Sequence, residues 1–263
     1  MKRILACFKV TDDFDSLMPA EWENLGTGAP DTSYVKRLLG CFDEAALENA
    51  LLFGDALRAL GEEVELTALT LDPGYSDHIV KNLPAIGFAR VVCLESGADL
   101  RFAPEETARL LSEFIKENGP YDAVFAGQQA PPYNSGLVPY FLAARLGLHC
   151  LANVRALAPE GGGVTVLQEA DGGGTLRRRA ELPLLFVVGN AERSYLRVPT
   201  LREKLATKGF APERRAAEAG APALAPCALE RESVERSCEM IEGGTAEEQA
   251  RALYDAYLKE ALS

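Results

Sequence analysis

The sequence predicts an α/β protein whose mostly parallel sheet is covered by helices on both faces. Three observations support this class. Short apolar runs alternate with amphipathic segments over the first two-thirds of the chain. The connections between them are short and rich in glycine and proline. Runs such as Ala123–Ala126 lack the polar alternation of a half-exposed strand, so they are typical of parallel strands buried on both faces.

The elements follow one another in a strand–helix order. The predicted strands are Ile4–Val10, Val64–Leu71, Val91–Leu94, Ala123–Ala126 and Pro183–Val188. The predicted helices are Phe42–Leu60, Ser76–Ile86, Pro104–Asn118 and Gly136–Leu146. This order favours a doubly wound, Rossmann-like sheet.

The last third of the chain has a different texture. Val164–Glu169 and Thr175–Glu181, joined by a glycine-rich turn, predict a β-hairpin insertion. Residues 211–231 are rich in alanine and proline and favour an extended linker. Thr245–Leu262 predicts an amphipathic helix whose apolar stripe must be buried on this chain or on a partner. We therefore expect a nucleotide-binding α/β domain over 1–210 and a C-terminal arm over 211–263 that clasps a partner subunit.

Composition limits the classes of function. The net charge of −12 argues against nucleic-acid binding. The chain has no run of roughly 18 apolar residues that would span a membrane. Its six cysteines lack CxxC spacing and it has only two histidines, so we expect reduced thiols, a cytoplasmic protein and no metal site.

The motifs of self-sufficient enzymes are missing. The sequence contains no GxGxxG after the first strand, no GxxxxGK[ST], no GxSxG and no HExxH. No pair of carboxylates stands out as acid and base. We therefore predict no catalytic residues in this chain.

Three predicted strand ends form candidate rims of one crevice: Ala6–Val10, Thr70–Pro73 and Gly127–Gly136. In the third rim, Gly127 permits close backbone approach. Asn134 and Ser135 are both good N-cap residues for the helix that follows, whose free amides attract phosphate. The rim is also compatible with a capped helix after a proline-stiffened loop that binds nothing.

Five stretches resemble the β subunit of electron transfer flavoprotein. They are the first strand ending in Lys9, the start Asp43–Ala50 of the long helix ("D/E-x-x-A-x-E-x-A"), Leu69–Pro73, Asp122–Ala130 ("D-x-V-x-x-G-x-Q-A") and the series Leu182-Pro183, Asn190, Arg193, Tyr195, Val198-Pro199 and Lys204. The resemblance covers about residues 1–210, and the tail also fits it.

The resemblance implies an electron carrier. It implies a heterodimer with an α subunit, a FAD shared with that subunit, and AMP or a second FAD in a pocket of this chain. Electrons would pass between a dehydrogenase, of the acyl-CoA type or another flavin dehydrogenase, and an acceptor.

The resemblance also assigns site residues. Residues of strand ends and helix starts would bind the cofactor: Ala6, Lys9, Gly40, Cys41, Phe42, Asp43, Leu71, Gly127, Gln128, Gln129, Ala130, Asn134, Ser135, Gly136, Leu137 and Val138. A later segment would recognise the redox partner: Arg193, Tyr195, Leu196, Val198 and Pro199, with Val198 in place of the leucine that the family inserts into a dehydrogenase.

One loop departs from the family pattern "GxQAIDGDTxQVGP". Pro131, Pro132, Tyr133 and Leu137 replace isoleucine, aspartate, glycine and glutamine. This leaves AMP and a second FAD both open, and it favours an alternative in which the chain is a nucleotide-free scaffold for the α subunit. A third alternative, an enzyme of the adenine-nucleotide α-hydrolase type, would need an SGGxDS loop that the sequence lacks.

Overall fold

The computed structural model describes residues 1–23, 28–71, 77–131, 133–223 and 237–259. The chain divides into two compact units, Met1–Ala228 and Leu229–Ser263. The elements below belong to the first unit unless stated otherwise.

Strands and helices alternate through the first unit. The strands are β1 Lys2–Cys7, β2 Val10–Asp12, β3 Arg37–Leu39, β4 Val64–Leu71, β5 Arg90–Glu95, β6 Ala123–Gly127, β7 His149–Glu160, β8 Gly163–Glu169, β9 Thr175–Ala180, β10 Leu184–Val188 and β11 Glu213–Ala216. The helices are α1 Cys41–Ala59, α2 Asp77–Val80, α3 Pro104–Asn118, α4 Val138–Leu146 and α5 Leu201–Ala206.

Among the described residues, nine strands form the main sheet, in the order β11-β5-β4-β1-β6-β10-β7-β8-β9. Neighbouring strands are parallel from β11 to β7, and β7, β8 and β9 pair antiparallel. The predicted doubly wound, mostly parallel sheet with a hairpin insertion is therefore confirmed.

The core lies on both faces of this sheet because successive side chains of a strand point to opposite faces. In β1, Ile4 contributes to the cluster that contains α1, and Leu5 contributes to the cluster that contains α3 and α4. Phe125 and Val124 of β6 divide in the same way. These side chains are fully buried, which explains why the strands read as continuous apolar runs.

The first strand is shorter than predicted. It ends at Cys7 rather than Val10, and Val10 instead begins β2, which pairs antiparallel with β3. The break falls at Lys9, whose backbone N–H donates to the side chain of Asp43 instead of to a strand.

Two helices differ from the sequence predictions at a proline or a loop. The predicted helix Ser76–Ile86 is a short α2 followed by a separate 3-10 turn over Pro84–Ile86, because proline lacks the N–H that would continue the helix. The helix predicted over Gly136–Leu146 begins at Val138 instead.

The region after residue 148 contains more regular structure than the sequence indicated. The twelve-residue β7 was not predicted, and it pairs with β10 along its first half and with β8 along its second. The predicted hairpin is confirmed as β8 and β9. Residues 211–231 were predicted to form an extended linker. Their first part instead contains β11, which pairs with β5 at the edge of the sheet.

The second unit contains the predicted tail helix. This helix, α6 Ala246–Leu253, begins with a capping box between Thr245 and Glu248 and continues into a π-helical turn, Tyr254–Leu258. The prediction extended to Leu262, and residues 260–263 lie outside the described part. The large apolar side chains of this helix and turn, Leu253, Tyr254, Tyr257 and Leu258, are all exposed.

Candidate functional site

The strand order places a crevice between β1 and β6. The chain leaves β1, forms α1 on one face of the sheet and returns to β4 on one side of β1. It leaves β6 on the other side of β1, and α4 packs on the opposite face. Helices that diverge in this way open a crevice beyond the carboxyl ends of the strands, where open α/β sheets hold their ligands.

The start of α1 forms one wall of this crevice. Helix α1 begins at Cys41 after Gly40, and no side chain caps its first amides. The backbone of this first turn packs directly on Gly127 at the end of β6: a Cβ on Gly127 would lie 2.8 Å from the carbonyl carbon of Phe42. Uncapped amides and the helix dipole suit this wall to an anionic group such as phosphate.

Asp43 lies beneath this wall in the third position of α1. It is buried, its Oδ1 accepts from the backbone N–H of Lys9 at 3.0 Å, and its buried Oδ2 has no hydrogen-bond partner. Burial raises the pKa of the Asp43 carboxyl to about 7, and the hydrogen bond from Lys9 opposes this shift. A buried oxygen without a partner is costly, so this group is a strong candidate for a functional role.

Two residues near Asp43 complete the floor. Burial raises the pKa of the Cys7 thiol to about 12, and the Asp43 carboxyl adds to this shift. The Lys9 ammonium donates to the carbonyl oxygen of Pro131 at 2.8 Å. Removal from water lowers the pKa of the Lys9 ammonium, and the carboxyl groups of Asp43 and Asp12 oppose this shift.

The loop after β6, described over residues 128–131 and 133–137, lies at the mouth of the crevice, and we call these residues the crevice loop. On the α1 side it is held by Lys9 and by the contact of Pro131 with Gly40, where a Cβ would lie 3.0 Å from Pro131 Cδ. On the α3 side the ring of Tyr133 packs on Phe102, with 4.4 Å between ring centroids. The described part of the loop is thus held from both sides.

The structure brings most of the predicted cofactor residues to this crevice. Gly40 to Asp43 form the α1 wall, Gly127 ends β6, Gln128 to Ala130 follow it, and Leu71 ends β4. Ala6 lies one residue before the end of β1, and its side chain is fully buried in the core. Asp72 and Pro73 of the second predicted rim lie outside the described residues.

The predicted caps of α4 are wrong. Asn134 and Ser135 are exposed and lie before the helix, Leu137 is the N-cap residue, and no side chain caps the helix. Asn134 instead adopts a left-handed turn (φ 45°) and its N–H donates to the carbonyl of Ala130. Pro139 in the second helical position explains the later start, because proline fits the first turn of a helix.

Sequence reasoning missed the loop between β5 and α3. Phe102 contacts the crevice loop, and Arg101 donates to the carboxylate of Asp99 and to the carbonyl of Gly28. The only available signal was position, because this loop follows a strand at the same edge of the sheet as the crevice.

The predicted recognition residues lie elsewhere, against the middle of α1. Arg197 forms a two-pronged ion pair with the buried Glu48 and a second pair with Asp55. The N–H of Leu196 donates to Glu44 and Asn49 donates to the carbonyl of Arg193.

Within this firmly held segment, residues 193–199, two apolar side chains point into solvent. Tyr195 and Val198 are each 83% exposed. Leu201 and Leu205 of the adjoining α5 extend the exposed apolar surface. Exposed apolar side chains on a fixed backbone are typical of a protein-docking surface.

Two further observations concern metals and membranes. Within the described ranges, no group of three or more histidine, cysteine, aspartate or glutamate side chains is arranged to hold a metal ion. No helix in the described part of the chain is long and apolar enough to cross a bilayer.

The fold defines a doubly wound α/β protein with a crevice at the point where its connections change direction, the place where open α/β sheets hold their ligands. The model of the electron transfer flavoprotein domain matches residues 31–218, and the chain belongs to this family. The predicted resemblance to this family is confirmed.

Named relatives agree with this assignment. The chain is 34% identical to YgcR of Escherichia coli (strain K12), provisionally named an electron transfer flavoprotein subunit, over 98% of both chains. It is 25% identical to the electron transfer flavoprotein subunit beta of Megasphaera elsdenii, over 78% of this chain and 74% of the relative. It is 26% identical to the subunit beta of Mycobacterium tuberculosis (strain CDC 1551 / Oshkosh), over 68% and 66%.

Proposed function

We propose that this chain is the β-type subunit of a cytoplasmic electron transfer flavoprotein. It pairs with an α-type subunit, shares a FAD with it, and binds AMP or a second FAD in its own crevice. The observation that carries the proposal is the uncapped first turn of α1 packed on Gly127, at the switch point of a chain that belongs to this family.

The crevice residues fit a nucleotide. Glycine at 127 lets the α1 backbone approach the strand end, since a side chain there would collide with the carbonyl of Phe42. The free amides of Cys41 and Phe42 then donate to phosphate oxygens, and Lys9 offers a nearby positive charge. The unpartnered Oδ2 of Asp43 gains a hydrogen bond once the crevice is occupied, provided that Pro131 shifts from Gly40.

The bound FAD supplies the electron-carrying chemistry, and this chain supplies position. The 193–199 segment docks the dehydrogenase through Tyr195 and Val198, whose exposed fractions are the largest among the described large apolar residues of the chain. The ion pair of Arg197 with Glu48 keeps that segment in place on α1. The tail helix packs its exposed apolar side chains on the α-type subunit.

The crevice loop supports a second candidate function. Lys9 and Phe102 hold this loop from both sides of the crevice, and a rigid loop reduces the room for a ligand. In this alternative the chain is a nucleotide-free scaffold for the α-type subunit.

The test is to co-express the chain with its α-type partner, purify the complex, denature it and identify the released nucleotides. FAD with one AMP per complex, or two FAD per complex, supports the proposal. One FAD alone supports the scaffold. Absence of both a nucleotide and a stable complex overturns the proposal. The variant Gly127→Val should lose the second nucleotide, whereas Gly209→Val should keep it, because a Cβ at 209 meets no atom within 4 Å.

A further inference from the structure

We propose that a proton on Asp43 keeps the crevice loop closed: the neutral carboxyl lets Pro131 rest on Gly40, and loss of the proton opens the loop. This switch goes beyond the proposed function, because it does not depend on which ligand the crevice binds. It acts where the crevice loop meets the first turn of α1. Its parts are the Asp43 carboxyl, the Lys9 ammonium and the Pro131 residue.

The unpartnered oxygen of Asp43 lies at the contact between α1 and the crevice loop. A Cβ on Gly40 would lie 2.9 Å from Asp43 Oδ2 and 3.0 Å from Pro131 Cδ, so the oxygen and the proline ring border the same small space. Asp43 is 5% exposed, and its buried Oδ2 has no hydrogen-bond partner. Pro131 therefore lies beside a carboxyl oxygen that is closed off from solvent and has no donor.

Lys9 links this carboxyl to the loop. Its backbone N–H donates to Asp43 Oδ1 at 3.0 Å, and its side-chain ammonium donates to the carbonyl oxygen of Pro131 at 2.8 Å. The charge of the ammonium also favours the ionised form of Asp43. A hydrogen bond between two charged groups is stronger than one from a charged group to a neutral carbonyl. An ionised Asp43 therefore competes with Pro131 for the Lys9 ammonium.

The closed loop suits a neutral carboxyl and not an ionised one. A buried carboxylate with an unpartnered oxygen is far more costly than a buried neutral acid group. The ionised Asp43 can gain water if Pro131 lifts from Gly40, or it can gain the Lys9 ammonium at the expense of the Pro131 carbonyl. Both changes release the crevice loop on its α1 side.

Ionisable groups on the two neighbouring strands do not supply the missing partner. Cys7 of β1 is buried, and the pKa of its thiol is raised to about 12, so the thiol is uncharged near neutral pH. Asp12 of β2 acts on Lys9, and its carboxylate is paired with Arg37 at 2.7 Å. These two strands therefore leave Asp43 Oδ2 without a donor.

The other neighbours of Asp43 make their contacts elsewhere. On α1, the Glu44 carboxylate accepts from the backbone N–H of Leu196 at 3.3 Å. On the crevice loop, Tyr133 packs on Phe102. Strand β6 carries no ionisable residue. The Lys9 ammonium is therefore the described positive charge that an ionised carboxyl meets.

The switch operates up to neutral pH. Burial raises the pKa of Asp43 in the closed loop to about 7, and the backbone hydrogen bond and the charge of Lys9 oppose this shift. When the loop opens, water reaches the carboxyl and its pKa moves back towards the ordinary value of 3.8. The closed loop therefore binds the proton more tightly. Closing is favoured most below a pH of about 4, and this advantage is lost as the pH rises to about 7.

Hydrogen–deuterium exchange of the full chain, freed of bound small molecules by gel filtration, measures the opening. Protection factors of the crevice-loop amides are compared at pH 5 and pH 8 after correction for the intrinsic pH dependence of exchange. The amides of β4 record global unfolding in the same samples. We expect loop protection to fall at least about tenfold from pH 5 to pH 8, because each pH unit between the two pKa values shifts the ratio of open to closed loops up to tenfold.

Two variants test the roles of the carboxyl and the ammonium. Asp43→Asn keeps an acceptor for the Lys9 N–H but cannot ionise, so its loop protection should agree at the two pH values within about twofold. Lys9→Met keeps the backbone N–H but loses the charge that favours the ionised carboxyl, so the pH midpoint of loop opening should rise. A residue that merely tethers the loop would lower its protection at every pH and leave the midpoint unchanged.

The inference fails if the unmodified chain keeps its loop protection between pH 5 and pH 8. It also fails if Asp43→Asn loses as much protection as the unmodified chain, since another group would then titrate. Equal protection factors for loop and β4 amides at every pH would mean that the loop opens only by global unfolding, and would overturn it too. If Asp43→Asn does not fold, an unchanged midpoint in Lys9→Met overturns it instead. No nucleotide is added, so the proposed function is decided separately by the nucleotide content of the complex.

Discussion

Two buried carboxylates of α1 lie beneath two different loops, and they differ in how fully they are hydrogen-bonded. Glu48 lies under the 193–199 segment, and its carboxylate accepts hydrogen bonds from the guanidinium and the backbone N–H of Arg197. Asp43, less than two turns earlier, lies under the crevice loop with one oxygen bonded to Lys9 and the other without a partner.

The two loops also differ in how they are held and in what they expose. The 193–199 segment is held on one side only, and it presents Tyr195 and Val198 to solvent. The crevice loop is held on both sides and presents mainly half-buried groups. The segment above the fully paired carboxylate thus exposes apolar side chains, and the loop above the carboxylate with an unpartnered oxygen borders the crevice.

The largest expected effect comes from Asp43→Asn. The pKa of Asp43 is about 7 in the folded chain against an ordinary value of 3.8, so the folded state binds more protons between these values. The free energy of unfolding contributed by Asp43 therefore falls as pH rises from 4 to 7, by up to about 4 kcal/mol. Asp43→Asn should remove this fall, measured by urea unfolding at pH 4, 5.5, 7 and 8.

The comparison of unmodified and variant chains isolates Asp43 from other groups. Arg101 and Arg109 are the main causes that lower the pKa values of Asp99 and Glu106, so the stability contributed by these two groups rises with pH. These contributions are the same in both chains and cancel when the two pH profiles are subtracted. The exposed Asp15→Asn is the matched control for an aspartate-to-asparagine change at the surface. A profile for Asp43→Asn that parallels the unmodified chain would contradict the argument.

The next effect is that of Gly127→Ala. The added methyl group would lie 2.8 Å from the Phe42 carbonyl carbon and 3.0 Å from the Asp43 backbone nitrogen, so the first turn of α1 must move. Overpacking against backbone should destabilise the chain by about 3 kcal/mol and abolish AMP binding. The equivalent change at Gly209 meets nothing within 4 Å and should alter neither quantity. Thermal unfolding and AMP titration of both variants test this.

Arg197→Ala should have a smaller effect. It leaves the Glu48 carboxylate, whose side chain is 8% exposed, without its ion-pair partner. Breaking a buried pair is strongly destabilising, but the Arg197 side chain is 34% exposed, so we expect a loss of about 1–3 kcal/mol. Asp55→Asn weakens only the exposed ion pairs of Asp55 with Arg197 and Arg58, and should cost about 0.5 kcal/mol or less. If the two variants unfold at equal urea concentrations, Glu48 does not depend on Arg197.

Much of the sheet could be predicted because its strands are buried on both faces. β4 matches its prediction residue for residue and β6 and β10 nearly so, since the alternation of apolar runs and helices is a local pattern. β7 was missed because its burial pattern is mixed, with partners on one side that are parallel and on the other antiparallel. β11 was missed because its stability comes from pairing with β5, about 120 residues away, and not from its own composition.

The position of the crevice could be predicted from the sequence, but the side-chain contacts around it could not. Gly127 and the α1 start could be assigned from the strand and helix order and from the family pattern. The pairing of Tyr133 with Phe102 and of Lys9 with Pro131 could not, because each joins loops that are distant in sequence. The caps of α4 were wrong for a related reason: Asn134 satisfies the N-cap preference by type, but its backbone is used in a left-handed turn instead.

The smallest expected effect on stability is that of Tyr195→Ala, and it completes the comparison of the two loops. Tyr195 is 83% exposed, so its loss should change the free energy of unfolding by less than about 0.5 kcal/mol. Tyr133→Ala should cost more, about 1 kcal/mol, because it breaks an aromatic pair that holds the crevice loop. Urea unfolding of the two variants side by side measures this difference. Equal losses would mean that the contact of Tyr133 with Phe102 does not stabilise the crevice loop. The contrast between the two loops would then depend on the hydrogen bond from Lys9 alone.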